Sequence, residues 1–345
     1  MAIFTDEGAR AADIYVDLGT ANILIAVRGR GVVVNEPTLI AYTEPRPGKR
    51  KIVAVGLEAE KHLATTAGNI KAERPLKDGV IADFDTTEVM LKFFFKKNKL
   101  SGFLNRPTVV ISLPFGVTEV EKRAAVDAGK SAGAKDVILI DEPMAAAIGA
   151  GLAIKEARGS LIVDIGGGTT EVAVICLADI VSCTAIRIGG HRMDQAIQDY
   201  MRRTKNFIIS ANLAEQLKKE MGTAMPKKEI RSIVIDGRYA DSGIPARIEV
   251  TSEDVGLAID DSLSEIIHAI HGTLEKTPPE LVSDVIETGL VLAGGGALIR
   301  DLDLRIQNEV RLPVRISHEP LLAIARGGEM VLSDPDLLDK IQLDV

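Results

Sequence analysis

Short apolar runs, punctuated by acids and glycines, set the pattern of the chain. Residues 14–16, 23–27, 107–113, 137–140, 161–163, 172–176 and 290–293 are rich in Val, Ile, Leu and Ala and bounded by Gly, Asp or Pro, as expected of strands buried on both faces. Helical spacing separates them. A helix capped by Asp85 or Thr86 runs to Lys97, with Val89, Met90, Phe93 and Phe94 on one side. Thr118 with Glu121 three positions on forms a capping box for a helix ending near 129–133. Further helices are expected over 144–151, 193–201, 211–221, 255–274 and 321–332. This alternation predicts an α/β fold. Residues 31–78 differ, with β-prone stretches at 32–34, 39–42 and 52–55 between turns rich in Pro and Gly, and read as a small insert. Residues 233–250 read as an antiparallel pair turning near 241–245.

Two of these runs are copies of one design. Laid over each other without a gap, Asp17 falls on Asp164, Gly19 on Gly166, Ala26 on Ala173 and Val27 on Val174. Each copy reads as apolar strand, acid, glycine turn, apolar strand. A repeat at this distance is too long for a solenoid unit and predicts two related half-proteins. Gly166, Gly167 and Gly168 let the backbone approach a ligand, and their N–H groups, with the hydroxyls of Thr169 and Thr170, can donate to phosphate oxygens. Asp164 at the strand end can hold a divalent cation directly or through its waters. One copy alone could be a glycine-rich hairpin with a surface aspartate. Two facing copies would grip a phosphate chain and its metal from both sides.

A chain of 345 residues exceeds a single-core size and favours two domains. Its net charge of −8, its 3% aromatic content and the absence of Trp argue against a general nucleic-acid binder, which needs a basic face and stacking platforms. Cys176 and Cys183 flank a turn near 178–179 and could face each other across it, but two buried free thiols in a reducing, cytosolic compartment are expected rather than a bridge or a metal pair. Residues 1–12 lack the pattern of a secretory signal. The apolar runs 144–154 and 289–299 are too short to span a bilayer, so any membrane contact is expected to be peripheral. No Gly-x-x-x-x-Gly-Lys-Ser/Thr motif exists, so a nucleotide site here would be built from hairpins.

Four further places carry candidate chemistry. Glu142 follows a strand and opens a small-residue helix, where it can position or deprotonate a water, or serve only as a first-turn acid on the helix dipole. Glu215 and Lys218, one turn apart, read as a solvated ion pair or as a ribose contact. Gly294, Gly295 and Gly296 expose backbone that can lie flat on a purine or support a phosphate. Leu100, Phe103 and Leu104, bracketed by Lys96, Lys97, Lys99 and Arg106, can dip into an anionic membrane surface or fold back as a staple on the core.

Together, residues 17–22, 140–147, 164–170 and 293–297 resemble the phosphate and adenosine motifs of the actin and sugar-kinase ATPase superfamily, and within it the MreB family of bacterial actins. Residues 35–37, 78–83, 201–203 and 277–280 add to the likeness, which spans nearly the whole chain. Each glycine motif is weak alone, and four in order at these spacings are strong.

The resemblance implies two actin-like domains, each a βββαβα core with a smaller insert, and a nucleotide cleft between them. The first would cover 1–150, with core 1–31 and 80–150, insert 32–79, and residues 329–345 packing back on it. The second would cover 151–328, with core 151–188 and 255–328 and insert 189–254. The implied ligands are ATP and Mg²⁺. Asp17 and Asp164 would hold the metal through water and act with Glu142, which would orient the attacking water. Gly19, Thr20, Ala21 and Asn22, with Gly166, Gly167, Gly168 and Thr169, would cradle the phosphates. Glu215, Gln216, Leu217 and Lys218 would meet the ribose and base. Gly294, Gly295, Gly296, Ala297 and Leu298 would line the opposite side of the nucleotide.

Family members polymerise into paired protofilaments on the inner membrane face and organise cell-wall growth in rod-shaped cells. The resemblance therefore implies a homopolymer with slow, polymerisation-linked ATP hydrolysis, cytoplasmic and peripheral on the inner membrane. Its partners would be cell-wall elongation proteins such as RodZ, with no nucleic acid. Leu100, Phe103 and Leu104 would supply the membrane contact, because residues 1–8 hold too few apolar groups for an anchor. Asn22 stands where eukaryotic actin carries a phosphate-binding lysine, which is normal for the bacterial branch. Arg326 stands where a small residue is expected. A small-molecule kinase for a sugar or acetate, on the same fold, is the alternative.

Overall fold

The computed structural model describes residues 13–46, 49–63, 69–101, 106–226 and 228–344. The chain forms two units, Met1–Leu152 with Ile324–Val345, and Ala153–Ala323.

The first unit opens with the meander β1 (Ile14–Leu18), β2 (Asn22–Val27) and β3 (Gly31–Pro37). The chain then builds β4 (Ile40–Arg46), β5 (Lys49–Val55), α1 (Leu57–Leu63) and β6 (Ile70–Glu73), whose strands form a separate sheet in the order β5-β4-β6. A short ribbon, β7 (Leu76–Lys77) and β8 (Val80–Ile81), leads into α2 (Phe84–Lys97), β9 (Thr108–Leu113), α3 (Glu119–Ser131), β10 (Asp136–Asp141) and α4 (Glu142–Gly149). The main sheet runs β10-β9-β1-β2-β3, with β10, β9 and β1 parallel and the meander antiparallel. Residues 32–34 therefore belong to this sheet rather than to the insert. A tight turn returns the chain beside β2, and Val34 pairs with Ile25. Alternation sends Ile14, Val16 and Leu18 into the core with Phe94 and Phe95 of α2 and Ala125 of α3, so Tyr15 and Asp17 lie on the opposite face.

Two helix expectations shift in detail. The cap of α2 is Asp83, which accepts the Thr86 N–H at 3.1 Å, so the helix starts before Asp85. Its buried stripe is Met90, Leu91, Phe94 and Phe95, leaving Val89 and Phe93 partly exposed. The capping box of Thr118 and Glu121 on α3 is present in full.

The second unit repeats the plan. Its main strands are β11 (Ser160–Ile165), β12 (Thr170–Cys176) and β13 (Asp179–Ile186). An insert follows, of α5 (Gly190–Thr204), β14 (Phe207–Ile208), α6 (Ala211–Met221), β15 (Ser232–Tyr239) and β16 (Pro245–Thr251). The unit closes with α7 (Ser252–Lys276), α8 (Pro279–Thr288), β17 (Leu290–Ala293), α9 (Leu302–Val310) and β18 (Val314–Ile316). The sheet order is β13-β12-β11-β17-β18. Counted from each acid-bearing strand, both main sheets read third, second, first, fourth, fifth. Registers match as well: Asp17 lies opposite Leu24 and beside Ser112, and Asp164 opposite Glu171 and beside Ala293. Cys183 faces Ala173 and Cys176 faces Asp179, so the two thiols are not cross-strand neighbours and form no bridge.

The last helices, α10 (Ala323–Leu332) and α11 (Pro335–Ile341), rejoin the first unit from Ile324, earlier than the expected 329. The small residues that α10 requires are Gly327 and Gly328, not position 326. A Cβ on Gly327 would overlap the Ala145 carbonyl of α4, and one on Gly328 would overlap the Tyr15 ring. Arg326 stays half-buried beside them.

Candidate functional site

In the first unit, Asp17, Ser112 and Ile140 form one row across the parallel strands β1, β9 and β10, at their carboxyl ends. Ligands of open α/β sheets sit at such ends. Asp17 and Glu142 are each 6% exposed, which makes them acids held inside the protein rather than on its surface. Glu142 is the first residue of α4, two positions beyond the row, and Asp141 is the N-cap. Burial pushes the Asp141 carboxyl up to about 6, against the opposing pull of Lys122.

The turn after β1 is braced through its carbonyls. Gly19 O accepts from the Thr38 hydroxyl at 2.7 Å, and Ala21 O accepts from Thr38 N–H and Arg74 Nη1, both at 2.9 Å. The Thr20 hydroxyl accepts the Gly79 N–H at 2.7 Å, and Asn22 Nδ2 donates to Asn35 Oδ1 at 3.2 Å. With carbonyls tied down, the N–H groups of Gly19, Thr20 and Ala21, which donate to no backbone carbonyl among the described residues, are left as donors, the arrangement of an anion nest.

The second unit has an equivalent turn, braced from another direction. Gly190 N–H donates to Gly166 O at 3.0 Å and His191 N–H to Gly167 O at 2.9 Å, so the start of α5 holds the carbonyls. A Cβ on Gly189 would press on Gly166 O at 2.7 Å, so only glycine permits this approach. Among the described residues the N–H groups of Gly167, Gly168 and Thr169 donate to no backbone carbonyl and remain as donors. Thr170 is not available to a phosphate: its buried hydroxyl donates to Ile188 O at 2.7 Å. Gly294 takes a φ of +77° beside Asp164, and a Cβ there would overlap Ile165 O. Gly295, Gly296, Ala297 and Leu298 form a 3-10 turn directly after β17, with Leu298 57% exposed and Ala297 buried.

Asp164 is 4% exposed, and its Oδ1 has no hydrogen-bond partner among the described residues. Burial alone pushes its carboxyl up to about 7. A cation would supply the missing partner. Among the described residues no group of three or more His, Cys, Asp or Glu is placed to hold a metal. Asp164, a buried carboxylate with an open oxygen, suits Mg²⁺, a cation that keeps several of its waters and needs few protein ligands.

The expected pair of Glu215 and Lys218 does not form. Lys218 Nζ bonds Asp194 at 2.8 Å and Gly190 O at 2.9 Å, while Glu215 pairs with Lys219 at 2.7 Å. A partly buried acid on α5 competes better for the ammonium than an exposed one on its own helix. Gln216 bonds Glu220 at 3.0 Å, and Leu217 is buried in the core of the second unit. The membrane reading fails for Leu100, which is 7% exposed, packs in the first core and donates its N–H to Phe95 O at 2.8 Å. It is the staple on the core. Phe103 and Leu104 lie outside the described residues. No helix among the described residues is long and apolar enough to cross a membrane.

Sequence reasoning missed Arg74, Thr38 and the Gly189–His191 start of α5, which hold the two turns in shape. Nothing local marks them, since each acts on a turn distant in the chain.

Residues 11–340 match the family described as MreB/Mbl protein. The cell shape-determining protein MreB of Escherichia coli (strain K12) is 47% identical over 332 residues, 96% of each chain. The cell shape-determining protein Mbl of Bacillus subtilis (strain 168) is 42% identical over 333 residues, 96% of this chain and 99% of that one. The crystal structure of MreB5 of Spiroplasma citri bound to ADP superposes with a TM-score of 0.88 at 36% identity, covering 95% of this chain and 97% of that chain. With the duplicated sheets, the paired acids and relatives of this similarity over nearly its full length, the chain belongs to the MreB/Mbl family and has its actin-like fold.

Proposed function

We propose that the chain is a filament-forming ATPase that determines cell shape, binding ATP with Mg²⁺ and hydrolysing it slowly to ADP and phosphate as it polymerises. The observation that carries this reading is the twice-built row in which a buried acid stands beside a turn with spare N–H donors. The E. coli relative is described as cell shape-determining, and the S. citri structure holds ADP, which supports the same reading here.

Asp17 and Asp164 would hold Mg²⁺ through its waters, and the N–H groups of residues 19–21 and 167–169 would bind phosphate oxygens. Bound Mg²⁺ supplies charge neutralisation on the phosphates. Glu142, fixed at the start of α4, orients the attacking water and receives its proton. Gly294–Gly296 would approach the nucleotide through bare backbone. The filaments would lie on the inner membrane face, with RodZ-type partners. With Leu100 buried, peripheral attachment would rest on the neighbouring residues 102–105 and the exposed Lys96, Lys99 and Arg106.

Electron microscopy with ATP and Mg²⁺ on anionic liposomes, with phosphate release measured in parallel, tests the reading. Filaments and slow release are expected. Glu142→Ala should assemble but lose release by roughly 100-fold or more. Absence of filaments with either ATP or GTP would sink the cytoskeletal reading, and unchanged turnover in Glu142→Ala would remove the role of that residue.

A further inference from the structure

Ser112 is the only hydroxyl in the strand Thr-Val-Val-Ile-Ser-Leu that lies in the acid row, and it is 0% exposed. Its Oγ has no hydrogen-bond partner among the described residues. A buried hydroxyl is unfavourable unless something satisfies it, and a methyl group would fill the space without that cost. The internal duplication shows that the fold does not require a hydroxyl at this place. The position beside Asp164, equivalent to Ser112 beside Asp17, is Ala293, which is also fully buried. The hydroxyl is therefore built into one copy only, the copy whose next strand runs into Glu142.

Register places it. Ser112 pairs with Asp17 on one side and Ile140 on the other, and matching positions on neighbouring strands project to the same face. That face also carries Tyr15 and packs against α4. Strands lie about 4.8 Å apart, so a single water can bridge groups on adjacent strands.

We propose that Ser112 is a positioning residue: its hydroxyl and the Asp17 carboxylate hold one water between them at the carboxyl ends of β1 and β9. The shared water fixes the orientation in which Asp17 meets the hydration shell of Mg²⁺. This role rests on the nucleotide reading above and deepens it.

The test is a Mg²⁺ titration of ATP binding by the full chain, with thermal unfolding of the ligand-free protein measured alongside. Ser112→Ala copies the residue of the other unit. It should unfold at the same or a higher temperature, yet need roughly 10-fold more Mg²⁺ for half-maximal binding, the scale seen when a group behind a metal ligand is lost. Ser112→Cys, nearly the same size and a weaker donor, should shift the midpoint in the same direction by less, and it decides the matter if the alanine variant does not fold. An unchanged Mg²⁺ midpoint in the folded variant overturns the proposal. So does a fall in unfolding temperature that accounts for the weaker binding, since that marks a packing role. If the unsubstituted chain shows no Mg²⁺-dependent ATP binding, the nucleotide reading itself fails, and the two failures are distinct.

Discussion

Asp164→Asn should make the ligand-free protein more stable while abolishing its response to Mg²⁺ and ATP. The carboxyl is 4% exposed, its Oδ1 lacks a partner among the described residues, and burial raises its pKa from 3.8 to about 7. Each pKa unit corresponds to about 1.4 kcal/mol, so keeping Asp164 ionised costs the folded state about 4 kcal/mol at and above pH 7. The folded pKa lies above the unfolded one, so the folded state binds the extra proton between pH 4 and 7. The penalty is absent below pH 4, grows as pH rises through that window and is constant above it. An asparagine removes the charge but brings a buried amide that needs its own partners, which offsets about half the gain. A net gain of about 2 kcal/mol corresponds to about 4–8 °C in unfolding temperature for a unit of this size. Thermal unfolding at pH 7.5 and pH 5, with and without Mg²⁺ and ATP, measures it. The variant should lead at pH 7.5, the lead should shrink at pH 5, and nucleotide should stabilise only the unsubstituted protein. A variant less stable at pH 7.5, or a lead that does not change with pH, would refute the reasoning.

Lys218→Met should destabilise the second unit by about 3 kcal/mol, because Asp194 is left buried without its ammonium partner. Adding Asp194→Asn should recover part of that loss in urea unfolding, and strictly additive effects would show that the pair is not coupled. Gly328→Ala should cost about 1–3 kcal/mol or block folding, since its Cβ would overlap the fully buried Tyr15 ring. Gly272→Ala, in the interior of α7 with nothing within 4 Å of the added carbon, should stabilise by up to about 1 kcal/mol in the same assay.

The duplication, the two acid-tipped turns and the α/β character are legible in the order of residues alone. These are local properties: an apolar run buried on both faces, an acid at its end and glycines in the turn can all be read within a few residues. The Thr118 cap and the β15–β16 pair were legible for the same reason, since capping boxes and hairpins are short-range devices. Features that depend on which distant group arrives emerge only in the folded chain. Lys218 has an acid one turn away and chooses Asp194 on another helix, because the charge there is less screened by water. Leu100 looked like a surface apolar group and is buried, because the chain after α2 folds back on its own core. Residues 32–34 joined the main sheet because a tight turn offered β2 as a partner. Gly327 and Gly328 are fixed by the backbone of α4 and the ring of Tyr15, contacts that no periodicity encodes. Only the folded register placed Ser112 beside Asp17: the two are far apart in sequence, and parallel pairing of β1 with β9 brings them into one row.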